Sequence, residues 1–154
     1  MPSITRATVA DAGQILALQK RAYESEARTY NDWSIPPLTQ SVGALVEEIE
    51  KTTVLKASEG QHIVGSVRAD FKEGVCSIGR LIVEPERQGQ GLGTQLLQAI
   101  EASYPEANRF ELFTGSRSEG NIRLYRRHGY EIAETRQLSA HVTLVFMVKR
   151  ATDG

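Results

Sequence analysis

Leu81-Ile82-Val83-Glu84-Pro85-Glu86-Arg87-Gln88-Gly89-Gln90-Gly91-Leu92-Gly93-Thr94 is the stretch on which the reading of this chain turns. An apolar β-type run ends at Val83. Pro85 then breaks the extended backbone, and glycines at 89, 91 and 93 lead into Leu92, Leu96, Leu97 and Ile100, which share one side of a helix predicted from about Gly91 to Ser103. Glycine allows a tight turn and leaves backbone N–H groups uncovered by side chains. The N–H groups of a helix's first turn lack intrahelical acceptors, and the helix dipole places partial positive charge there. Such a turn is a socket for a phosphate or pyrophosphate.

Upstream, the period changes. Thr53–Ala57, Ile63–Phe71 and Val75–Val83 are rich in Val and Ile and are separated by Gly60 and by Lys72-Glu73-Gly74, which predicts an antiparallel meander. Before it, Ile4–Ala7 reads as a short strand. Asp11 is placed to cap a helix carrying Ile15, Leu18 and Ala22 to about Ala27. The Pro36-Pro37 pair is expected to stop any helix. Thr39 or Ser41 then caps a helix with Val42, Leu45, Val46 and Ile49 on one face.

Downstream, Arg109–Phe113 reads as a strand. Ser118 is expected to cap a short helix reaching Arg127, and Gly129 ends it. Tyr130–Leu138 and Val142–Val148 are the last strands; in the second, Val142, Leu144, Phe146 and Val148 alternate with Thr143 and Lys149. The tail Ala151–Gly154 is expected to fray. Strand–helix–strand from Val75 to Phe113 requires a right-handed parallel crossover within an otherwise antiparallel sheet. The fold class is therefore α+β: a mixed, mostly antiparallel sheet of about seven strands flanked by four helices. With no repeat, linker or low-complexity tract, residues 1–154 read as one domain.

Composition removes several functions. The chain has 154 residues, of which 40% are apolar and 24% charged. That size and balance suit one self-supporting globular domain. Eighteen Lys+Arg against nineteen Asp+Glu leave a net charge of −1, so no overall field draws the protein to nucleic acid or an anionic membrane. Cys76 is the only cysteine, which excludes an internal disulfide and a multi-cysteine zinc site; it reads as a small buried apolar residue. No secretory signal and no membrane-length apolar run are visible. The expectation is a soluble, cytoplasmic protein without a metal.

Three phosphate-binding turns compete for the socket. A P-loop needs Lys after its last glycine, and Thr94 stands there. The dinucleotide fingerprint needs Gly-x-Gly-x-x-Gly opening a parallel sheet; the spacing here is Gly-x-Gly-x-Gly after a meander, although Glu111 lies at a suitable distance for a ribose contact. The third is an acyl-coenzyme-A turn. Gln88-Gly89-Gln90-Gly91-Leu92-Gly93 resembles the Gln/Arg-x-x-Gly-x-Gly/Ala signature of the GNAT-type N-acetyltransferases. Ser118-Glu119-Gly120-Asn121-Ile122-Arg123-Leu124-Tyr125-Arg126-Arg127-His128-Gly129-Tyr130 resembles the family's later segment, a short helix carrying Leu-Tyr followed by Gly-Phe/Tyr at a strand start. The resemblance covers Ser77 to Glu134 well and the first half only in element order. It departs where many members have Asn and Ala; here Ser118 and Asn121 stand.

The resemblance implies an acetyl-CoA-dependent transfer to a primary amine without a covalent enzyme intermediate. It assigns cofactor contacts to Leu81, Ile82 and Val83 and to Gln88, Gly89, Gln90, Gly91, Leu92, Gly93 and Thr94, with Asn121 near the pantetheine arm. Tyr125 would stand near the CoA sulfur as general acid. Such use of the strand end requires it to splay from its parallel neighbour, which predicts a bulge near Ile82–Val83. Family members often use a strand Glu as base, acting through water. No carboxylate lies in Ser77-Ile78-Gly79-Arg80-Leu81, so Glu84 and Glu111 are the nearest candidates. Arg80 could hold a partner carboxylate or an acidic substrate group. Arg87, Arg117, Arg123, Arg126 and Arg127 flank the motifs, and one or two of them could reach CoA phosphates.

The segment Tyr23–Ser41 is expected to be a loop setting acceptor specificity. Glu24, Glu26 and Asp32 supply negative charge, and Tyr30 and Trp33 supply aromatic surface for a cationic amine. The resemblance implies a small-molecule or peptide amine as the acceptor. Dimers are common in the family, but no residue here compels one. The rival readings are a non-catalytic acyl-CoA sensor and a nicotinamide-dinucleotide binder.

Overall fold

The computed structural model describes residues 2–151. Met1 and most of the tail expected to fray, residues 152–154, lie outside the described residues. Strand β1 (Ser3–Arg6) opens the chain. Helices α1 (Ala12–Tyr30), α2 (Pro36–Thr39) and α3 (Val42–Lys51) follow, then the meander β2 (Thr53–Glu59), β3 (His62–Lys72) and β4 (Val75–Val83). The second half contains α4 (Leu92–Ala102), β5 (Arg109–Gly115), α5 (Glu119–Arg127), β6 (Glu131–Gln137) and β7 (Thr143–Arg150). They build a 7-stranded sheet in the order β1-β2-β3-β4-β5-β7-β6. Only β4 and β5 run parallel; the other neighbours are antiparallel. The expected class and crossover are present. No helix among the described residues is long and apolar enough to cross a membrane.

The sheet is covered on both faces. Leu92, Leu96, Leu97 and Ile100 of α4 pack with Tyr125 of α5 on Ala57, Val64, Val67, Ile78 and Met147. Ile15, Leu18, Leu45 and Ile49 of α1 and α3 pack on Val54, Ile63 and Ile82 from the other side. Gly65 allows the α4 contact: a Cβ there would lie 2.8 Å from Leu96 Cδ1 and 3.2 Å from the Ile82 carbonyl oxygen. Cys76 is buried and free, and burial pushes its thiol up to about 12, as expected of an inert apolar residue.

Several local expectations are corrected. The Pro pair starts a helix instead of preventing one: Pro36 occupies the first turn of α2, where a missing N–H costs nothing. Among the described residues there are therefore five α-helices, not four. Helix α1 runs on from Ala27 to Tyr30, where Asn31 adopts a left-handed φ of 50° and ends it. Asp11 does not cap α1. Its carboxylate accepts from Thr8 N–H at 2.8 Å and from Lys56 Nζ at 2.8 Å, closing a 3-10 turn at Val9–Asp11. Ser41, by contrast, caps α3 by accepting from Ala44 N–H at 3.1 Å. In β7 the core-facing side is Val145 and Met147 rather than Leu144, Phe146 and Val148. Both faces of that strand are apolar, so alternation alone does not choose between them; packing into the cluster that holds Tyr125 and Tyr130 does.

Candidate active site

The site is made where the two halves of the sheet part. Parallel pairing between β4 and β5 stops at Ser77 and Glu111. Beyond it, β5 stays with β7 and β4 stays with β3. The expected bulge is present two residues earlier than predicted: Ser66 pairs with Ile82 and Arg68 with Gly79, so Arg80 and Leu81 together oppose Val67. Arg80 takes a left-handed φ of 49° there. An extra residue on one strand increases local twist and re-aims side chains, which turns the end of β4 away from β5.

The gap holds two adjoining cavities. The larger, about 490 Å³, lies between β4, the glycine turn and α5. Its walls include Leu81, Ile82, Val83, Gln88, Gly89, Gly91, Leu92, Gly93, Thr94 and Asn121. Of the cofactor-contact residues expected from sequence, only Gln90 and Tyr125 are not on this wall. Gly89 and Gly91 have φ of 81° and 83°, values that strain any side-chain-bearing residue. Gln88 N–H bonds back to the Pro85 carbonyl, and Gln95 N–H is the first to find a helical acceptor, the Gly91 carbonyl at 3.1 Å. Between them, the N–H groups of Gly89 to Thr94 have no acceptor among the described residues. Arg87, Arg123 and Arg127 stand at the rim; Arg87 pairs with Glu59.

The smaller cavity, about 230 Å³, opens on the β5 side and is walled by Tyr30, Pro37, Arg80, Phe113, Tyr125 and Leu144, among others. Tyr23, Glu26, Leu81 and Asn121 line both cavities, so the two meet there. Tyr125 is 5% exposed, and its ring meets Tyr130 edge-on at 5.9 Å. Its hydroxyl has no protein partner among the described residues. Burial, followed by the neighbouring Tyr23 and Glu26, raises its pKa well above the usual phenol value, so it is protonated at neutral pH.

Glu26 is the carboxylate of this junction. It sits on α1, not on the loop expected from sequence, because α1 runs to Tyr30. The Ser118 hydroxyl donates to both its oxygens at 2.9 Å. Tyr30 Oη lies 3.1 Å from Ser118 Oγ and accepts from Arg117 N–H at 2.8 Å. Ser118 was expected to cap α5, but it makes no side-chain cap bond; its hydroxyl fixes Glu26 instead. Gly115 leaves room for this chain of contacts, since a Cβ there would fall 2.0 Å from Tyr30 Oη. Glu26 carried only a weak sequence signal, as one acidic residue among three in its segment.

The two carboxylates named from sequence are elsewhere. Glu84 is held by Arg21, with Nε at 3.0 Å and Nη2 at 2.8 Å, and lines neither cavity. Glu111 pairs with Arg109 at 2.8 Å and stands on β5 before the splay. Trp33 is 54% exposed and lines neither cavity, whereas Tyr30 is buried in the wall of the smaller one. Among the described residues no cluster suits a metal ion.

Arg21 holds the Glu84 carboxyl below its ordinary pKa. A depressed carboxylate stabilises the fold above its unfolded pKa, and that stabilisation is lost as pH falls through the lower folded value. The pair is partly exposed, with side chains 48% and 18% accessible, so its worth is on the order of 0.5 kcal/mol. Glu84→Gln is expected to lower Tm slightly at neutral pH, with the difference closing in acid, and to leave turnover unchanged. Thermal melts across pH and a rate assay check both.

Comparison with known proteins bears on this geometry. Residues 14–130 match the Acetyltransferase (GNAT) family. The chain belongs to the GNAT acetyltransferase family. Acetyl-CoA is the acetyl donor of GNAT enzymes, and the structural neighbours include complexes with it and with CoA. One is the PaiA N-acetyltransferase of Thermoplasma acidophilum in complex with coenzyme A: TM-score 0.81, 16% identity, 98% of this chain and 99% of that one. The ribosomal-protein-S18-alanine N-acetyltransferase of Escherichia coli gives 0.81 and 16% over 100% and 97%. YncA of Salmonella typhimurium, a putative acetyltransferase with its cofactor acetyl-CoA, gives 0.78 and 18% over 100% and 96%. At such identities the GNAT likeness speaks to fold. The UPF0157 protein YqkA of Bacillus subtilis is 27% identical over 124 residues, and the match spans 80% of this chain but only 36% of that protein.

Proposed function

We propose that this chain is a single-domain N-acetyltransferase that moves the acetyl group of acetyl-CoA directly to a primary amine. The observation that carries this reading is the row of unpaired N–H groups from Gly89 to Thr94, opening on a cavity that joins a second one at Tyr23, Glu26, Leu81 and Asn121. The N–H groups and Arg123 and Arg127 suit a pyrophosphate. The free edge of β4 at Leu81 and Val83 suits the amides of the pantetheine arm, with Asn121 opposite. Acetyl-CoA, as substrate, supplies the thioester at the junction of the cavities.

The amine nitrogen bonds to the thioester carbon, and the carbon–sulfur bond breaks. An amine with a pKa near about 10.4 must first lose a proton, and Glu26 is placed to take it, directly or through a water. Tyr125 protonates the departing sulfur. A phenol with a raised pKa is a weak acid, but burial raises the basicity of the departing thiolate in the same direction. Holding both reactants at the junction contributes further rate by orientation.

The test is direct. CoA should raise the Tm of the protein where a nicotinamide dinucleotide does not, and acetyl-CoA with a panel of amines should release free thiol above background. CoA binding with no release from any amine would leave a sensor instead of an enzyme. Gly91→Ala reports on the turn. An added Cβ would meet nothing within 4 Å, so the cost is the left-handed backbone alone, roughly 1–2 kcal/mol. Relaxation of that strain turns amides away from the phosphates, and CoA affinity is expected to fall about tenfold, the worth of one charge-assisted hydrogen bond. Calorimetric titration checks it.

A further inference from the structure

The smaller cavity contains a positive charge without a counterion. Arg80 lines it and not the larger one. Among the described residues no carboxylate lies within 4.0 Å of its guanidinium, and its Nε is buried without an acceptor. The neighbouring Arg68, 6% exposed, does not help: it takes Glu48, Gln19 and Gln40 as its partners. Its charge and that of Arg80 repel. Arg80 is partly buried, and an N–H withdrawn from water without an acceptor carries a cost that a bound acceptor would remove. Here the fold goes further and holds Arg80 in a left-handed backbone at the bulge, a conformation that bulky residues rarely adopt and that clusters at functional sites.

The opposite charge, Glu26, lines the same cavity. The Tyr23 phenol lies among the charges of Arg80, Arg68 and Glu26. Glu26 and Arg80 are therefore drawn up around one side chain at the junction where acetyl transfer would occur. Much of the rest of the wall, including Ile35, Pro37, Phe113, Leu138, Val142 and Leu144, is apolar, beside the polar Thr114 and Asn121. At about 230 Å³ the space is smaller than a drug-sized pocket.

We infer that Arg80 binds the carboxylate of the acceptor, and that the acceptor is an α-amino acid with an apolar side chain. The inference rests on the acetyl-transfer reading of the same site. An α-amino acid carries its nitrogen and its carboxylate on one carbon, which matches a cation and an anion gathered around one phenol. The planar fork of a guanidinium pairs with a carboxylate through two parallel hydrogen bonds. The nitrogen then faces Glu26 and the thioester, and the side chain enters the apolar wall. The carboxylate is not consumed.

Binding, not turnover, tests this. Phenylalanine with phenethylamine and phenylalanine amide, and leucine with isoamylamine, are titrated calorimetrically into the protein with and without CoA. The amino acids are expected to bind at least about 30-fold more tightly than the partners lacking the carboxylate, the usual scale for leaving a desolvated charge unpaired. Arg80→Gln should bring the ratio close to one, Arg80→Lys should keep part of it, and the CoA affinity of each variant serves as the check on folding. Equal affinities, tighter binding of the neutral-tailed amines, no amino-acid binding, or a ratio that survives Arg80→Gln overturns the inference. The acetyl-transfer reading fails separately: thiol release would be absent while the carboxylate preference remained.

Discussion

Tyr125→Phe is expected to lower kcat by about 10²–10⁴-fold, the range for removal of a positioned acid, while the KM for acetyl-CoA holds. The substitution removes one oxygen atom. That hydroxyl has no protein partner among the described residues, so no buried group is left stranded, and the ring keeps its edge contact with Tyr130. Stability should change by less than about 1 kcal/mol. Stopped-flow release of free thiol, with a thermal melt of each protein, separates chemistry from folding. An unaltered kcat would remove Tyr125 from the proton pathway.

Glu26→Gln is the second large effect. Its amide oxygen still accepts from Ser118, so the Tyr30–Ser118 chain to Arg117 survives. What disappears is a proton acceptor at the junction. The expected loss in kcat/KM is about 10²-fold at neutral pH. The distinguishing sign is in the pH profile. Without a base, the enzyme depends on amine that is already neutral, whose fraction grows about tenfold per pH unit below a pKa near 10.4. The variant should therefore recover toward the parent as pH rises. A uniform deficit at every pH would mean that Glu26 only positions its neighbours.

The positions of these two residues explain why one was legible and the other was not. Tyr125 stands in a local pattern, a short helix closing on Gly129 and Tyr130, and such a pattern survives in a linear reading. Glu26 reaches the junction because α1 crosses over the splayed strands and Ser118, 92 residues away in sequence, bonds to it. No window of sequence contains both. Glu84 and Glu111 were chosen for closeness along the chain, but distance along the chain does not measure distance in space. Arg21 and Arg109 hold them elsewhere.

The sequence by itself determined the glycine turn, the meander before it, the parallel crossover and the family. Those features rest on backbone rules that act over a few residues: where glycine is needed, where an amide is left free, where apolar spacing changes period. Only the tertiary structure decided how far α1 extends, which face of β7 is buried, where the bulge falls, and that Arg80 enters a cavity without a carboxylate partner. Each of those depends on which side chains from distant segments compete for the same space and the same hydrogen bonds, and that competition exists only once the chain has packed.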